Sequence, residues 1–527
     1  MKSVIALILC DILFFFISLF DLQMFQQNGY NNKNRYLKFL LNFLKRSYLW
    51  TILRIVLIAL MFIIPTTSKL LFLFVLLYLL ALIIQSIMNY ISHNTKLPLK
   101  FTSRVIRTIS IDYLLYIVVQ IVSFTKNYNI IVLALMSYIL LHPFILLFVN
   151  LLLQPVEKHI FNKYKKQAIN KLNRMPDLRI IGITGSYGKT STKLVLNSVL
   201  SAKYKGFCTP GSFNTPNGNI MTINAENDIF NEYFISEMGA KKEGEIKEIC
   251  DIVHPKYAII TKIGEAHLEF FKSIENICNT KFELVESLGK DGVAILNKDD
   301  PYQKNYKIKN KCNVIWIGIK ASADVMAKNI KITNEGTTFD IYFAKEDHSV
   351  TVSTVLLGQK NVYNILAACA LGHYFGLSDK ELVLGVKRIA PISHRLEVRN
   401  VQNTTIIDDS YNSNPEGSKT ALEVLSLMDG CKYIITPGMI ELGEKQYELN
   451  KEFGKEIAKV CDKVYLIGKN QTKPIQDGLT DANYSFDNVK IFNQFKEAYN
   501  DIIKTSGNKK SVILIENDLP DSFTEGK

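Results

Sequence analysis

The chain has 527 residues, 48% of them apolar, and 62 Lys and Arg against 49 Asp and Glu, a formal net charge of +13. Its eight cysteines are scattered, with no Cys-x-x-Cys pair and no His/Cys cluster, which excludes a zinc ribbon or a disulfide framework and fits reduced thiols packed as small apolar residues. The positive excess gathers partly in short basic segments such as 158–171 beside apolar runs, so it points to a membrane surface and not to nucleic acid.

The first third is set apart by hydropathy. Segments 4–22, 49–64, 69–87, 111–124 and 130–153 are strongly apolar, and most approach the roughly 20 residues that cross a bilayer. About five spans are therefore expected within residues 1–155; a signal peptide does not explain the first, because four more follow and no small-residue cleavage site is evident. Lys33, Arg35, Lys38, Lys45 and Arg46 crowd one connection and Lys96, Lys100, Arg104 and Arg107 another, whereas the short connections 65–68 and 125–128 hold only Lys126. Basic loops stay cytoplasmic, so everything after Gln154 is expected to face the cytosol of a multi-pass plasma-membrane protein. Asp11 lies inside the first span and is expected to make a structural hydrogen bond; Gln85 and Gln120 lie inside others, and Arg54 is near enough to the cytoplasmic end to snorkel.

After a basic linker, 156–177, the pattern changes to alternating strands and helices. An apolar run, 179–183, leads into Gly182-Ile-Thr-Gly-Ser-Tyr-Gly-Lys-Thr-Ser191, and a helix begins near Thr190. Strand, Gly-rich turn and helix in that order make a phosphate-binding loop. Gly185, Ser186 and Gly188 let backbone N–H groups approach polyphosphate oxygens, Lys189 adds charge, and the hydroxyls of Thr190 and Ser191 stand where Mg²⁺-ATP arrives. Position 183 is Ile where the standard spacing has Gly, a shortened form of the loop. Strands are expected at 233–237, 257–262 and 293–296, with helices at 243–251 and 273–288, giving a mainly parallel sheet whose ligands sit beyond the strand carboxyl ends. Glu237 follows one strand directly, where a carboxylate can hold Mg²⁺, and His267 follows another, where a ring nitrogen can ligate a second ion. Lys281 falls on the next helix. Strands near 404–408, 432–436, 463–467 and 511–515 describe a second, smaller Rossmann-like sheet.

Eight motifs then recur in family order: the loop itself, Glu-Met-Gly-Ala at 237–240, Glu-Ala-His-Leu-Glu at 265–269, Leu-Asn-Lys-Asp-Asp-Pro at 296–301, Gly-Gln-Lys-Asn-Val-Tyr-Asn at 358–364, His-Arg-Leu-Glu at 394–397, Asp-Asp-Ser-Tyr-Asn-Ser-Asn-Pro at 408–415 and Gly-Met-Ile-Glu-Leu-Gly at 438–443. In these the chain resembles the Mur ligases, ATP-dependent amide-bond-forming enzymes of peptidoglycan synthesis. The resemblance implies an α-helical membrane region joined to an α/β part: a central P-loop-type ATP-binding domain, 178–395, and a C-terminal Rossmann-like domain, 396–527. It implies that Lys189 contacts the γ-phosphate, that Thr190 and Glu237 hold one Mg²⁺ and His267 a second, and that Lys281 is carbamylated to complete the second site. Asn297, Asn361 and Asn364 would flank the nucleotide, Arg395 and Asp409 (or Asp408) would reach ATP from the C-terminal domain, and Tyr411, Asn412 and Asn414 would line the cleft.

The implied reaction phosphorylates an acceptor carboxylate with ATP, and an amino acid or dipeptide amine then displaces phosphate. Three departures qualify the likeness. The family's domain that grips the UDP-sugar is replaced by membrane spans, so the acceptor is expected to be lipid-linked or membrane-associated. Lys360 stands where the family commonly has His. The last strand runs into Glu516-Asn517-Asp518 where the dipeptide-adding branch has Lys-Gly-Ser, so D-alanyl-D-alanine is not carried over as the amine, although a solvated acidic tail explains the same residues. A poly-γ-glutamate-type synthetase and an ATP-driven transport or sensor protein are the competing readings.

Overall fold

A computed structural model describes residues 2–30, 36–37, 40–41, 77–84, 87, 98–124, 128–266, 268–411, 413–440, 442–507 and 509–518. The chain divides into two compact units, in the main Met1–Phe161 and Asn162–Leu519.

In the first unit, α1 (Lys2–Gln27), α2 (Ser103–Phe124) and α3 (Tyr128–Leu172) are each long and apolar enough to cross a membrane. The expected span 49–64, most of 69–87, and Arg54 and Gln85 lie outside the described residues. The three helices and the helical stretch 77–84 share a core in which Phe14 stacks on Tyr116 with ring centroids 4.0 Å apart. Phe15, Leu114, Ile121 and Leu151 remain exposed on the outside. Polar groups lie within. Asp11 accepts from Tyr116 Oη at 3.0 Å and Gln120 Nε2 at 2.6 Å, the hydrogen-bonded role expected of it. Buried His142 sits between Asp21 (Nδ1 to Oδ2, 2.7 Å) and Asp112 (Nε2 to Oδ2, 3.0 Å), and Tyr138 Oη donates to Asp112 Oδ1 at 2.8 Å. An apolar exterior around paired polar groups suits a hydrocarbon solvent, where an unpaired polar group is costly. The basic segment expected as a linker from 156 is helical as far as Leu172: Lys, Gln, Ala and Leu are good helix formers, and Pro143 and Pro155 remove one backbone donor each without ending α3.

The second unit is built on two sheets. The first comprises β1 (Arg179–Thr184), β2 (Gly206–Cys208), β3 (Tyr233–Glu237), β4 (Tyr257–Ile260), β5 (Val293–Asn297), β6 (Asn313–Gly318), β7 (Val325–Ile332), β8 (Thr337–Phe343) and β9 (His348–Thr354), in the order β2-β3-β1-β4-β5-β6-β7-β8-β9. Pairing is parallel from β2 to β7 and antiparallel across β7-β8-β9. The antiparallel edge was not expected. It follows from the strict alternation of buried and half-buried residues in β8, which one solvated face allows. β1, β3 and β4 are buried throughout apart from the first two residues of β1, as strands covered on both faces must be, and polar Thr184, Ser236 and Glu237 come only at the carboxyl ends of β1 and β3. β2 and β3 lie on one side of β1 and β4 on the other, so the chain changes direction at β1. A crevice opens at the carboxyl end of such a strand. It is met by α4 (Lys189–Leu200), α5 (Ile274–Glu286) and α6 (Gln359–Tyr374).

The second sheet comprises β10 (Glu397–Val401), β11 (Thr404–Asp409), β12 (Cys431–Thr436), β13 (Lys463–Ile467), β14 (Val489–Phe492) and β15 (Ser511–Glu516), ordered β10-β11-β15-β12-β13-β14. It is parallel except for the β10-β11 hairpin. Helix α7 (Pro415–Ser426) starts at a local sequence signal: Asn414 caps it, with Oδ1 accepting Gly417 N–H at 2.9 Å, and Pro415 is the first helical residue. Asn414, expected to line the cleft, is thus spent on this cap.

Candidate active site

The loop between β1 and α4 is fixed by close packing on β4. Gly185 has φ +148°, and a Cβ there would lie 2.0 Å from Thr261 Oγ1. Ser186 N–H donates to Lys262 O at 2.7 Å and Ser186 Oγ to Gly264 O at 2.9 Å. Gly188, with φ +81°, turns the chain into α4, and a Cβ there would come within 3.2 Å of Asn364 Oδ1. The loop therefore keeps its shape through contacts that only glycine permits at those two positions.

Side chains converge at the first turn of α4. Thr190 Oγ1 donates to Glu237 Oε1 at 3.1 Å, and Arg395 Nη2 donates to Thr190 Oγ1 at 3.2 Å. Lys189 Nζ donates to Gly185 O at 2.7 Å and to Ser186 O at 3.2 Å, folding back over its own loop. Burial pushes the Lys189 ammonium down to about 8, against the pull of Glu237 and with a further push from Arg395. Ser191 is buried on the same turn. Glu237 has two further partners that sequence reasoning missed: Lys193 Nζ at 2.9 Å from Oε2 and Asn214 Nδ2 at 3.1 Å from Oε1. Lys193 is wholly buried and also donates to Gly211 O at 2.5 Å. Its position four residues after Lys189, on the same helical face, is the signal that was available.

Of the expected asparagines, Asn364 reaches the loop helix, accepting from Thr192 Oγ1 at 2.9 Å and donating to Asn361 Oδ1 at 3.1 Å. Asn361 in turn donates to Leu357 O at 2.8 Å. The buried Asn297 serves its own turn, accepting Asp299 N–H at 2.9 Å. Lys281 is buried on α5, 5.6 Å from the Phe271 ring centroid; burial, with Lys189 adding to it, pushes its ammonium down to about 7. His267 and Asn412 lie outside the described residues.

The C-terminal sheet supplies the other wall. The Arg395 guanidinium lies 4.4 Å from the Tyr411 ring centroid, and Tyr411 Oη donates to Ser212 Oγ at 2.5 Å. The two aspartates of β11 part company. Asp408 pairs with His394 (Oδ2 to Nδ1, 2.8 Å) and accepts from Ser410 Oγ at 2.6 Å. Asp409 accepts Leu396 N–H at 3.0 Å and faces Lys360 Nζ at 3.7 Å. Burial raises its carboxyl, with Lys360 opposing. The acidic residues at 516–518 are not a solvated tail throughout: Glu516 and Asn517 are buried, and Asp518 is exposed.

Comparison with known proteins matches residues 183–372 to the Mur ligase middle domain and residues 394–516 to the Mur ligase glutamate ligase domain. The chain belongs to the Mur ligase family. It is 30% identical over 344 residues to the UDP-N-acetylmuramoyl-tripeptide–D-alanyl-D-alanine ligase of Bacillus subtilis (strain 168), an alignment covering 64% of this chain and 72% of the relative. It is 33% identical over 325 residues to the ligase of the same name in Rickettsia prowazekii (strain Madrid E), covering 60% and 71%. Among solved structures, MurF from Acinetobacter baumannii superposes with a TM-score of 0.62 at 26% identity, over 69% of this chain and 79% of that one. MurF from Thermotoga maritima in complex with ADP gives 0.61 at 27%, over 69% and 82%. This Mur ligase is accordingly an ATP-dependent enzyme that forms an amide bond with release of ADP and adds to a cell-wall precursor.

Proposed function

We propose that this Mur ligase is membrane-anchored and joins an amine to a carboxylate of a peptidoglycan precursor through an acyl phosphate. The observation that carries the reading is the convergence of Lys189, Thr190, Glu237 and Arg395 at one helix N-terminus, with Arg395, two residues before β10, bonding Thr190 Oγ1 at 3.2 Å. The acceptor carboxylate attacks the γ-phosphorus, and ADP leaves. Lys189, released from its loop carbonyls, follows the charge on the transferring phosphoryl group, and the backbone N–H groups at the start of α4 cradle the remaining phosphates. The amine then attacks the acyl carbon, phosphate departs, and one proton is lost from nitrogen. Asn361 and Asn364 border the nucleotide, as does Ser191; Asn297 supports the neighbouring turn. Because Asp409 belongs to the C-terminal part and Arg395 stands at its junction with the central one, closure of that part over the nucleotide completes the site and keeps water from the acyl phosphate.

The Thr190 hydroxyl and the Glu237 carboxylate stand 3.1 Å apart, hard oxygen donors side by side that fit Mg²⁺. Bound there, the ion supplies neutralisation of the phosphate oxygens. The expected second ion has less support: Lys281 offers nitrogen unless carbamylated, and among the described residues no group of three or more His, Cys, Asp or Glu could hold a metal. With its ammonium pushed down to about 7, Lys281 holds a sizeable share of free amine at neutral pH, and the free amine is the form that adds CO₂.

Membrane anchoring rests on the three apolar helices with exposed apolar flanks and paired polar interiors. With these helices preceding the matched domains, the acceptor is taken to be a membrane-associated or lipid-linked precursor. The test is incubation of the purified full chain with ATP and an amine pool, offering either a soluble UDP-linked muropeptide or native membranes, followed by accurate mass of the product. A single discrete addition to the membrane precursor is expected. A ladder of additions, or ATP hydrolysis that needs no acceptor, sinks the proposal.

A further inference from the structure

The carboxyl end of β15 holds a buried acid that none of the nucleotide groups uses. Glu516 is fully enclosed; Oε1 accepts from Ser413 Oγ at 2.6 Å, whereas Oε2 has no hydrogen-bond partner. Its neighbour Asn517 is tied on both sides. Asn517 Nδ2 donates to Gly438 O at 2.6 Å, and Asn517 Oδ1 accepts Ser413 N–H at 3.4 Å. Strand register sets Asp409 directly beside Glu516, and Lys360 Nζ stands 3.7 Å from Asp409 Oδ2.

A buried polar atom without a partner is expensive in either protonation state, as an ionised oxygen lacking a donor or as an O–H lacking an acceptor. Lys360 faces Asp409, so the group left without a partner for an incoming ligand is Glu516 Oε2. The place is also where a ligand belongs, at the carboxyl ends of adjacent parallel strands. It joins the nucleotide site by a short path: Asp409 accepts Leu396 N–H at 3.0 Å, and the preceding residue, Arg395, bonds Thr190 Oγ1 at 3.2 Å.

We propose that Glu516 Oε2 receives a primary ammonium group of the amine substrate. This rests on reading the chain as an amide ligase, and it specifies which kind of amine the ligase takes. The ammonium is either the reacting amino group or a second one on a diamino acid. Burial, with Asp409 adding to it, holds the Glu516 carboxyl well above the usual carboxylate range, so an arriving cation favours its ionised form. Pairing then ionises it: Glu–COOH and R–NH₃⁺ give Glu–COO⁻···⁺H₃N–R, and one proton leaves to solvent. Access requires Lys360, which reaches from α6 toward Asp409, to move aside as the C-terminal part opens.

The experiment is calorimetric titration of the detergent-solubilised full chain with D-alanyl-D-alanine, N-acetyl-D-alanyl-D-alanine, L-lysine and Nε-acetyl-L-lysine, each in two buffers of different ionisation heat. At least one ammonium probe is expected to bind with release of a proton. Acetylating the responsible nitrogen is expected to weaken binding about thirtyfold or more, and E516Q to do the same while abolishing proton release. Loss with the acetylated dipeptide assigns the reacting amine; loss with Nε-acetyl-L-lysine alone assigns a second ammonium. E516D should recover part of the affinity, and ATP affinity of E516Q, unchanged within about twofold, reports an intact fold. Failure of every ammonium probe to bind, or E516Q binding within about twofold of the parent, overturns the assignment. Product formation by the parent with ATP and native membranes is scored separately, so the ligase reading stands or falls on its own result.

Discussion

Glu237 is held from three sides, by Thr190, Lys193 and Asn214, and its two oxygens play different parts. Oε1 faces the nucleotide loop, whereas Oε2 is tied to the buried Lys193 Nζ at 2.9 Å, which keeps the carboxylate oriented. Glu237→Gln and Lys189→Ala are therefore expected to lower ADP formation by at least about a hundredfold, measured by coupled assay, with far-ultraviolet circular dichroism unchanged. Lys193→Met should cost about 10–100-fold in activity while raising the Mg²⁺ needed for half-maximal rate, as loss of a group behind a metal ligand does. A Lys193→Met enzyme with parental Mg²⁺ dependence refutes that positioning role. Lys281 gives a pH prediction. Its folded value of about 7 lies below the ordinary 10.5, so between those values the unfolded chain holds the extra proton and stability rises with pH. The penalty is complete below pH 7. With EDTA present, Lys281→Met should melt above the parent at pH 6.5, and the gap should close toward pH 10.

At the scale of elements, the loop from β1 to α4 depends on a backbone that a side chain would displace. Gly185→Ala combines a φ of +148° with a 2.0 Å approach to Thr261 Oγ1. Loss of about 1–3 kcal/mol in stability is expected, and ATP binding, followed by nucleotide fluorescence, should fall with it. Gly211→Ala, where nothing lies within 4 Å, has φ +49° and should cost less in both measurements. Much of this element was legible in the chain, because an apolar run, spaced glycines and Lys189-Thr190 are local signals. So were β3, β4 and β13, whose apolar runs lie within a residue or two of the observed strands. Features built from distant contacts were not. Asn214 meets Glu237 across 23 residues, and His142 meets Asp21 across 121. Lys193 carried a partial signal, its place one turn after Lys189, but that its side chain is wholly buried against Glu237 is visible only in the fold. Asn414 was readable differently: Asn before Pro is a helix-start signal, and the cap took the side chain that the cleft was expected to use.

For the whole molecule, the division of labour is between helices with apolar outsides and an α/β unit with apolar cores. The first kind of surface is stable only when lipid or another chain covers it. Ile121 and Val122 on α2 are 64% and 63% exposed, far beyond what a water-soluble helix face of that length presents together with Leu114 and Ile117. The full chain should therefore stay with membranes through an alkaline carbonate wash and come away only in detergent. In the proposed anchoring scheme, sidedness is set by charge. The C-terminal part of α3 carries Lys158, Lys163, Lys165, Lys166 and Lys171, and basic residues next to a span are retained on the cytoplasmic side. That side also holds the ATP which Lys189 and Thr190 are arranged to meet. Protease added to intact cells should consequently spare the fragment from 162 onward, and protease added to inverted vesicles should remove it. The reverse pattern would separate the nucleotide loop from its substrate, and the anchoring scheme would fall with it.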